Sequence, residues 1–340
     1  MENNILKDYI CLTPFKYLEF FEKYVYPCCP GYIDHFNVGD VENLGEVWNG
    51  ERIKKIQDSI LNGTYSYCNK DICPSLSYLY YNHKVSGDFI KKGDFNKNDY
   101  NDGPKILNLS IDRTCNLSCP SCRIHLISEN SNELLKKNKI IEDIAFFFGS
   151  TATRLHMLGT GDVFASKACR DFLINFDDKK FPNLYVISIQ TNGMLLNKNM
   201  WNKIIKSQDL IKMISVSIDA STKETYEKIR RGGNWDILMD NLIFLSKLNI
   251  NVEVNFVVQD TNYKEMEPAY KLITTLSSEF RIKYVKIINW GTYSNEEFKV
   301  KEIYNESHPD FHLFLNELRK VAFKPKVFSN MNDIIEKYLK

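Results

Sequence analysis

Ile106-Leu107-Asn108-Leu109-Ser110-Ile111-Asp112-Arg113-Thr114-Cys115-Asn116-Leu117-Ser118-Cys119-Pro120-Ser121-Cys122 decides how this 340-residue chain is read. The first six residues form a short apolar run, bounded by Asp112, that reads as a buried strand. The loop that follows carries three thiols in the spacing C-x-x-x-C-x-x-C and stops at three. Three thiolates can hold an iron-sulfur cube and leave one iron open to a ligand that is not protein. The competing reading is a structural zinc knuckle. Such sites are closed by four ligands, usually in two C-x-x-C-like pairs, and no fourth Cys or His stands at a fitting spacing, although His125 lies three residues past Cys122. Nine cysteines is an odd number and nothing marks the chain as secreted, which disfavours a disulfide framework.

Downstream, apolar runs alternate with helical stretches of ten or more residues, the pattern of a parallel sheet with right-handed crossovers. A polar helix is predicted around 132–148. The strand Arg154-Leu155-His156-Met157-Leu158 then runs into Gly159-Thr160-Gly161-Asp162, and Tyr185-Val186-Ile187-Ser188-Ile189 ends in Gln190-Thr191-Asn192-Gly193. A fourth strand, Met213 to Ile218, opens into Asp219-Ala220-Ser221 and a helical run that reaches Arg230-Arg231-Gly232-Gly233. Val252 to Val258 and Val285 to Gly291 complete the series, with Asn289 and Trp290 at its end. In such barrels ligands sit at the carboxyl ends of the strands, where each of these polar turns falls.

The thiol loop at the end of the first strand, with the turns that follow in this order, resembles the radical S-adenosylmethionine (radical SAM) superfamily. The resemblance implies an α/β fold, a partial (βα)6 TIM-like radical SAM barrel. It implies that Cys115, Cys119 and Cys122 ligate a 4Fe-4S cluster whose open iron binds S-adenosyl-L-methionine (SAM). Gly159, Gly161 and Asp162 correspond to the glycine-rich turn that grips the methionyl amine, with Asp162 where Glu is more usual. Asn192 corresponds to the turn beside the ribose, and Ser217 and Arg230 become candidates for the ribose and carboxylate. The family's aromatic residue before the third cysteine is Ser121 here, so the adenine contact falls to another residue, with Phe164 and Phe256 as candidates.

Five further cysteines, Cys11, Cys28, Cys29, Cys68 and Cys73, lie in the first hundred residues. With Val25-Tyr26-Pro27-Cys28-Cys29 and Cys68-Asn69-Lys70-Asp71-Ile72-Cys73-Pro74 they resemble the SPASM or twitch module, which holds auxiliary iron-sulfur clusters and usually follows the barrel. Here it precedes the barrel, and Lys23 replaces a glycine typical of the stretch before Cys28. The resemblance implies one auxiliary 4Fe-4S cluster on Cys11, Cys28, Cys68 and Cys73, with Cys29 as the alternate ligand. A zinc-ribbon-like site on the same residues is the other reading. Cys169 is left over. A lone cysteine is most often a small buried hydrophobe, and in some radical SAM epimerases a thiol returns a hydrogen atom to the substrate radical, so Cys169 is a candidate for that role.

The expected division is 1–90 for the SPASM-like auxiliary-cluster domain, 91–103 for a linker, 104–292 for the radical SAM barrel and 293–340 for a C-terminal helical extension. The linker is a run of Lys, Asn, Asp and Gly, and the extension shows helical periodicity at Phe311, Phe314, Leu315 and Leu318. His308 and His312 flank its helix start as surface residues. A net charge of +1 gives no reason to expect nucleic acid or membrane partners. No signal pattern or membrane-length apolar run is seen, and unpaired thiols point to a reducing cytoplasm.

The implied reaction is reductive cleavage of SAM to a 5'-deoxyadenosyl radical that abstracts hydrogen from a substrate, with a flavodoxin or ferredoxin-type protein as reductant. The expected substrate is a ribosomal peptide undergoing crosslinking, epimerisation or oxidation, which would make the chain a maturase. The alternative is a sugar or aminosugar, dehydrogenated or epimerised. A non-enzymatic iron-sulfur electron carrier is disfavoured because a carrier needs no SAM pocket.

Overall fold

The computed structural model describes residues 5–157 and 160–340, and Gly159 of the glycine-rich turn lies outside them. The strands, in chain order, are β1 (Tyr9–Cys11), β2 (Tyr17–Phe21), β3 (Tyr24–Tyr26), β4 (Gly39–Asp40), β5 (Phe89–Lys91), β6 (Ile106–Ser110), β7 (Arg154–Met157), β8 (Val186–Thr191), β9 (Ile211–Ser217), β10 (Asn251–Val258), β11 (Arg281–Lys286) and β12 (Val327–Ser329). The helices are α1 (Thr13–Lys16), α2 (Glu51–Leu61), α3 (Pro74–Asn82), α4 (Ser131–Phe148), α5 (Lys167–Ile174), α6 (Lys198–Lys203), α7 (Lys223–Ile229), α8 (Trp235–Leu245), α9 (Met266–Leu276), α10 (Asn295–Lys301), α11 (Phe311–Val321) and α12 (Asn332–Tyr338). From β6 to β11 strands alternate with helices, the order of a partial (βα)6 TIM-like barrel. None of the described helices is long and apolar enough to cross a membrane.

The chain divides into two compact units. The first comprises residues 1–113, 130–160 and 176–187, and the second 114–129, 161–175 and 188–340. In the first unit β1 and β5 form an antiparallel pair, and the other strands lie in the order β7-β6-β2-β3-β4. The pairs β7–β6 and β6–β2 are parallel, whereas β2–β3 and β3–β4 are antiparallel. The amino-terminal segment thus shares a unit with the first two strands of the barrel series, and β2 lies alongside β6 with Glu19 opposite Asn108. Leu18, Phe20, Leu107, Leu109, Leu155 and Met157 alternate onto one buried apolar face. Phe20 meets Phe148 of α4 on that face at 5.9 Å between ring centroids. The start of α4 is fixed by a reciprocal capping box between Asn130 and Glu133. Residues 91–103 hold the end of β5 and two 3-10 turns.

In the second unit β9, β10, β11 and β12 are parallel neighbours. The strand anticipated at 285–291 is displaced. β11 runs from Arg281 to Lys286, because Ile282 and Tyr284 are the buried alternate positions, while Ile288 and Trp290 beyond it are exposed. The carboxyl-terminal stretch is more than helical: β12 adds a strand beside β11, and α11 buries Phe311, Phe314, Leu318 and Val321. Phe164 and Phe256, the candidates for an adenine platform, are both 0% exposed, so neither offers a free face.

Candidate iron-sulfur and SAM site

The thiol loop, its neighbours and the turns after β8 and β9 all belong to the second unit. The loop closes through Cys115 N–H, which donates to the Ile127 carbonyl at 3.1 Å. It is also tied to the turn after α7. Ser118 N–H donates to the Arg231 carbonyl at 3.0 Å, and the Arg231 guanidinium donates to Ser118 Oγ at 3.0 Å and to the Ile124 carbonyl at 2.8 Å. Leu117, fully buried, anchors the loop apolarly next to Gly232, whose φ of +93° suits glycine.

Donors converge on the three sulfurs. Leu117 N–H approaches Cys115 Sγ at 3.4 Å, the Asn192 amide stands 3.7 Å from the same sulfur, Arg123 Nη2 is 3.4 Å from Cys122 Sγ, and Arg230 Nη1 is 3.9 Å from Cys119 Sγ. Burial pushes the Cys115 and Cys119 thiols up, against the pull of Arg123 on the first and Arg230 on the second. Burial works against the charge of Arg123 too, but Cys122, Cys115 and Cys119 together hold it protonated more firmly than usual. One guanidinium therefore senses all three thiols. Positive charge and N–H donors around three thiols fit a thiolate-held cluster, since the thiolate is the ligand and hydrogen bonds to sulfur tune it.

The turns brace this loop from behind. Asp162 is buried, and its carboxylate accepts from Thr191 Oγ1 and Asn192 N–H, both at 2.7 Å, and from the backbone of Phe164 and Ala165 at 3.0 and 3.2 Å. Its own N–H donates to the Thr114 carbonyl at 2.9 Å. Burial nevertheless raises its carboxyl above the ordinary range. Its side chain is thus spent on holding turns together, and Gly161 precedes it in the same turn. Asn192 donates to Asn116 Oδ1 at 2.9 Å and accepts from Met194 N–H at 3.0 Å, so this side chain faces the thiol loop. Gly193 follows with φ +79°, and a Cβ there would meet Leu238 and Val216 at 2.8 Å.

Ser217 ends β9, buried at 8% exposure, in register with Asn255. Arg230, at the end of α7, gives Nη2 to Asp219 Oδ2 at 2.6 Å and leaves a buried Nε without a partner. Asp219 is a residue that sequence reasoning passed over. It adopts φ +62°, rare outside glycine, and accepts Val257 N–H at 2.7 Å while its carbonyl takes the Asn262 amide at 2.9 Å. Glu265 was also missed. It collects Ser221 N–H at 2.6 Å, Ser221 Oγ, Thr222 Oγ1 and Thr225 Oγ1, fixing the loop that leads into α7. The signal for Asp219 was its place directly after a strand, where barrels put site residues. Cys169 lies in the first turn of α5, 5% exposed, its N–H bonded to the Ser166 cap at 3.1 Å.

In the first unit, the amino-terminal cysteines gather. The Cys28 thiol is raised by burial and then by the nearness of Cys11, Cys73, Cys68 and Cys29. Burial pushes Cys11 up to about 11, and it raises Cys68 and Cys73 as well. The loop between Cys68 and Cys73 is set by Asn69, which accepts from Asp71 and Ile72 N–H at 3.1 Å and donates to Asp34. Among the described residues, no three His, Cys, Asp or Glu side chains are grouped as ligands of a single metal ion. Thiolates on separate irons of a cube need not be.

Residues 109–273 match the model of the Radical SAM superfamily, so the chain contains a radical SAM domain. Members of that family use SAM and a 4Fe-4S cluster. Among curated proteins the chain is similar to a probable GTP 3',8-cyclase of Methanococcus aeolicus, 26% identical over 155 residues that make up 45% of this chain and 50% of the relative. It is similar also to the GTP 3',8-cyclase of Alkaliphilus metalliredigens, 24% identical over 208 residues, 57% of this chain and 62% of that protein. The chain spans about half to three-fifths of the length of these relatives. Among solved structures, Streptococcus suis SuiB bound to the precursor peptide SuiA covers 82% of this chain and 54% of SuiB, at 12% identity and a TM-score of 0.49.

Proposed function

We propose that this chain is an enzyme that cleaves SAM reductively at a cluster held by Cys115, Cys119 and Cys122 and abstracts a hydrogen atom from a polar small molecule. The observation that carries it is the convergence of Arg123, Arg230, Asn192 and Leu117 N–H on those three sulfurs. When bound, the cluster and SAM supply the electron and the hydrogen-abstracting radical. The protein's part is positional. Arg231 and the Asp162–Asn192 brace hold the loop, Asp219 orients Arg230 toward Cys119, and Ser217 and the unpartnered Nε of Arg230 are the groups proposed to meet SAM.

The four cysteines Cys11, Cys28, Cys68 and Cys73 are proposed to saturate one auxiliary 4Fe-4S cluster, which suits electron transfer better than SAM binding. A substrate of the sugar or aminosugar class is favoured by the sequence similarity to GTP 3',8-cyclases. A ribose-bearing nucleotide, as the name GTP 3',8-cyclase denotes for the relatives, belongs to the same chemistry. The ribosomal-peptide reading rests on the amino-terminal thiol set and its likeness to maturase modules. The test is anaerobic: protein reconstituted with iron and sulfide, given SAM and dithionite, should release 5'-deoxyadenosine. Its absence from cluster-loaded protein overturns the proposal.

A further inference from the structure

We propose that Tyr65 is a positioning residue of the auxiliary iron-sulfur site, fixing Cys11 with its hydroxyl and Cys68 with its carbonyl. The proposal rests on the reading above that Cys11, Cys28, Cys68 and Cys73 hold one cluster, and it names what sets their spacing. Every residue it uses belongs to the first unit. Cys11 ends β1, a strand of three residues that pairs with β5 in a sheet of two strands. A strand so short, paired along one edge, does not hold a ligand in place by itself.

The other edge of β1 is closed by one side chain. Residues two apart on a strand turn their backbone groups to the same side, so the Tyr9 carbonyl and the Cys11 N–H face outward together. Both meet Tyr65. Its Oη donates to the Tyr9 carbonyl at 2.8 Å and accepts the Cys11 N–H at 3.2 Å. A phenol has one proton and lone pairs to spare, so it serves an acceptor and a donor at once, as a neighbouring strand would. The residue is 3% exposed, and its ring lies 6.4 Å from that of Phe89, which stands opposite Cys11 on β5.

The same residue holds a second ligand through its main chain. Cys68 N–H donates to the Tyr65 carbonyl at 2.9 Å, while Tyr65 N–H donates to the Ser59 carbonyl of α2, also at 2.9 Å. Tyr65 does this at φ +51°, a left-handed backbone that persists only where its surroundings hold it. Cys11 and Cys68, far apart in the chain, are thus tied through one residue to the end of α2. Asn69 extends the tie. Its carbonyl takes the Cys73 N–H at 3.0 Å, and its N–H donates at 2.8 Å to the carbonyl of Tyr32, whose own N–H donates to the Cys29 carbonyl at 2.9 Å. Phenylalanine at position 65 would fill the same space yet leave a carbonyl and an N–H of β1 unpaired at a ligand. The hydroxyl therefore acts on where Cys11 sits rather than on packing.

The experiment compares the full chain with its Tyr65→Phe variant, both purified and reconstituted with iron and sulfide without oxygen. Iron released to a chelator is followed over time, and the reduced clusters are recorded by electron paramagnetic resonance. In the variant about four irons per chain, those of the auxiliary cluster, should be released about tenfold faster, with a changed resonance for that cluster. The resonance and iron release of the cluster on Cys115, Cys119 and Cys122 should match the unsubstituted protein. A general loss of stability would speed both releases alike and leave both resonances in place. That result overturns the proposal, as does no change in either readout. If Tyr65→Phe does not fold, judged by its melting curve, Tyr65 is replaced by 4-aminophenylalanine, which keeps a donor for the Tyr9 carbonyl and gives the Cys11 N–H a poorer acceptor. The auxiliary resonance must then shift, and an unshifted one overturns the proposal. The Cys68→Ala, Cys73→Ala variant separates the two claims. Iron content equal to that of the unsubstituted protein sinks both, whereas a loss of about four irons there with Tyr65→Phe unchanged sinks the positioning role alone.

Discussion

Arg230 and Asp219 form a buried ion pair, Nη2 to Oδ2 at 2.6 Å, with side chains 13% and 3% exposed. The pair places the second nitrogen of the guanidinium against Cys119 Sγ. Removing one partner of a buried pair strands a charge, at a cost of about 3–5 kcal/mol. Asp219→Ala should therefore lower the unfolding free energy by that order and mis-set Arg230, detected by denaturant titration. An unchanged midpoint would show that the pair does not hold the β9 turn.

Ser217→Ala addresses the ligand more than the fold, whereas Arg230→Ala also strands Asp219 and shares the stability cost above. Each should leave iron content intact and weaken SAM binding, the arginine by about 1.5–3 kcal/mol, on the order of 10- to 100-fold in Kd. Equilibrium binding of SAM to reconstituted protein measures it. Unchanged affinity in both variants means that SAM is held elsewhere.

His156 gives a pH signature. Burial, then Arg154, lowers its folded-state pKa below the ordinary histidine value of 6.5. Between that lowered value and 6.5 the unfolded chain binds more protons than the folded one, so stability falls as pH drops through this window. Apoprotein should melt at a lower temperature at pH 5.5 than at pH 7, and His156→Gln should flatten the difference. An equal slope in the variant assigns the dependence to other groups.

Much of this arrangement was legible in the sequence, and the part that was not has physical reasons. The thiol loop and the turn at Asn192 were readable because cysteine spacing and T-N-G turns are local signals, and β6, β9 and β10 because buried parallel strands are continuous apolar runs. The pairing of β2 with β6 was hidden: Tyr17–Phe21 is short, half polar and flanked by other short elements, and its partner is about ninety residues away. β12 escaped for the same reason, being three residues whose only cue is β11. The bracing role of the Asp162 side chain was not legible. A short carboxylate between two turns satisfies backbone N–H groups, and only the fold shows four donors converging on it. The place of Asp219 just after β9 was readable, but its left-handed backbone, φ +62°, carries no mark that a sequence reveals.

Cys68 and Cys73 test the auxiliary site. Replacing both by Ala should remove about four irons per chain and abolish oxidised product, yet spare reductive SAM cleavage once the spectrum of the other cluster is shown to be intact. Product formed at the normal rate by this variant would make the amino-terminal site structural. A redox-neutral reaction, with a thiol such as Cys169 as hydrogen donor, would then be the better proposal.

The most direct measurement is iron and 5'-deoxyadenosine together, in protein purified and reconstituted without oxygen and in its Cys115→Ala, Cys119→Ala, Cys122→Ala triple variant. Two four-iron clusters give about eight irons per chain, and the variant should keep about half of them and release no 5'-deoxyadenosine from SAM and dithionite. Stoichiometric zinc without iron in the unsubstituted protein, or SAM cleavage that survives the loss of all three thiols, would contradict the assignment of Cys115, Cys119 and Cys122 as the catalytic cluster's ligands.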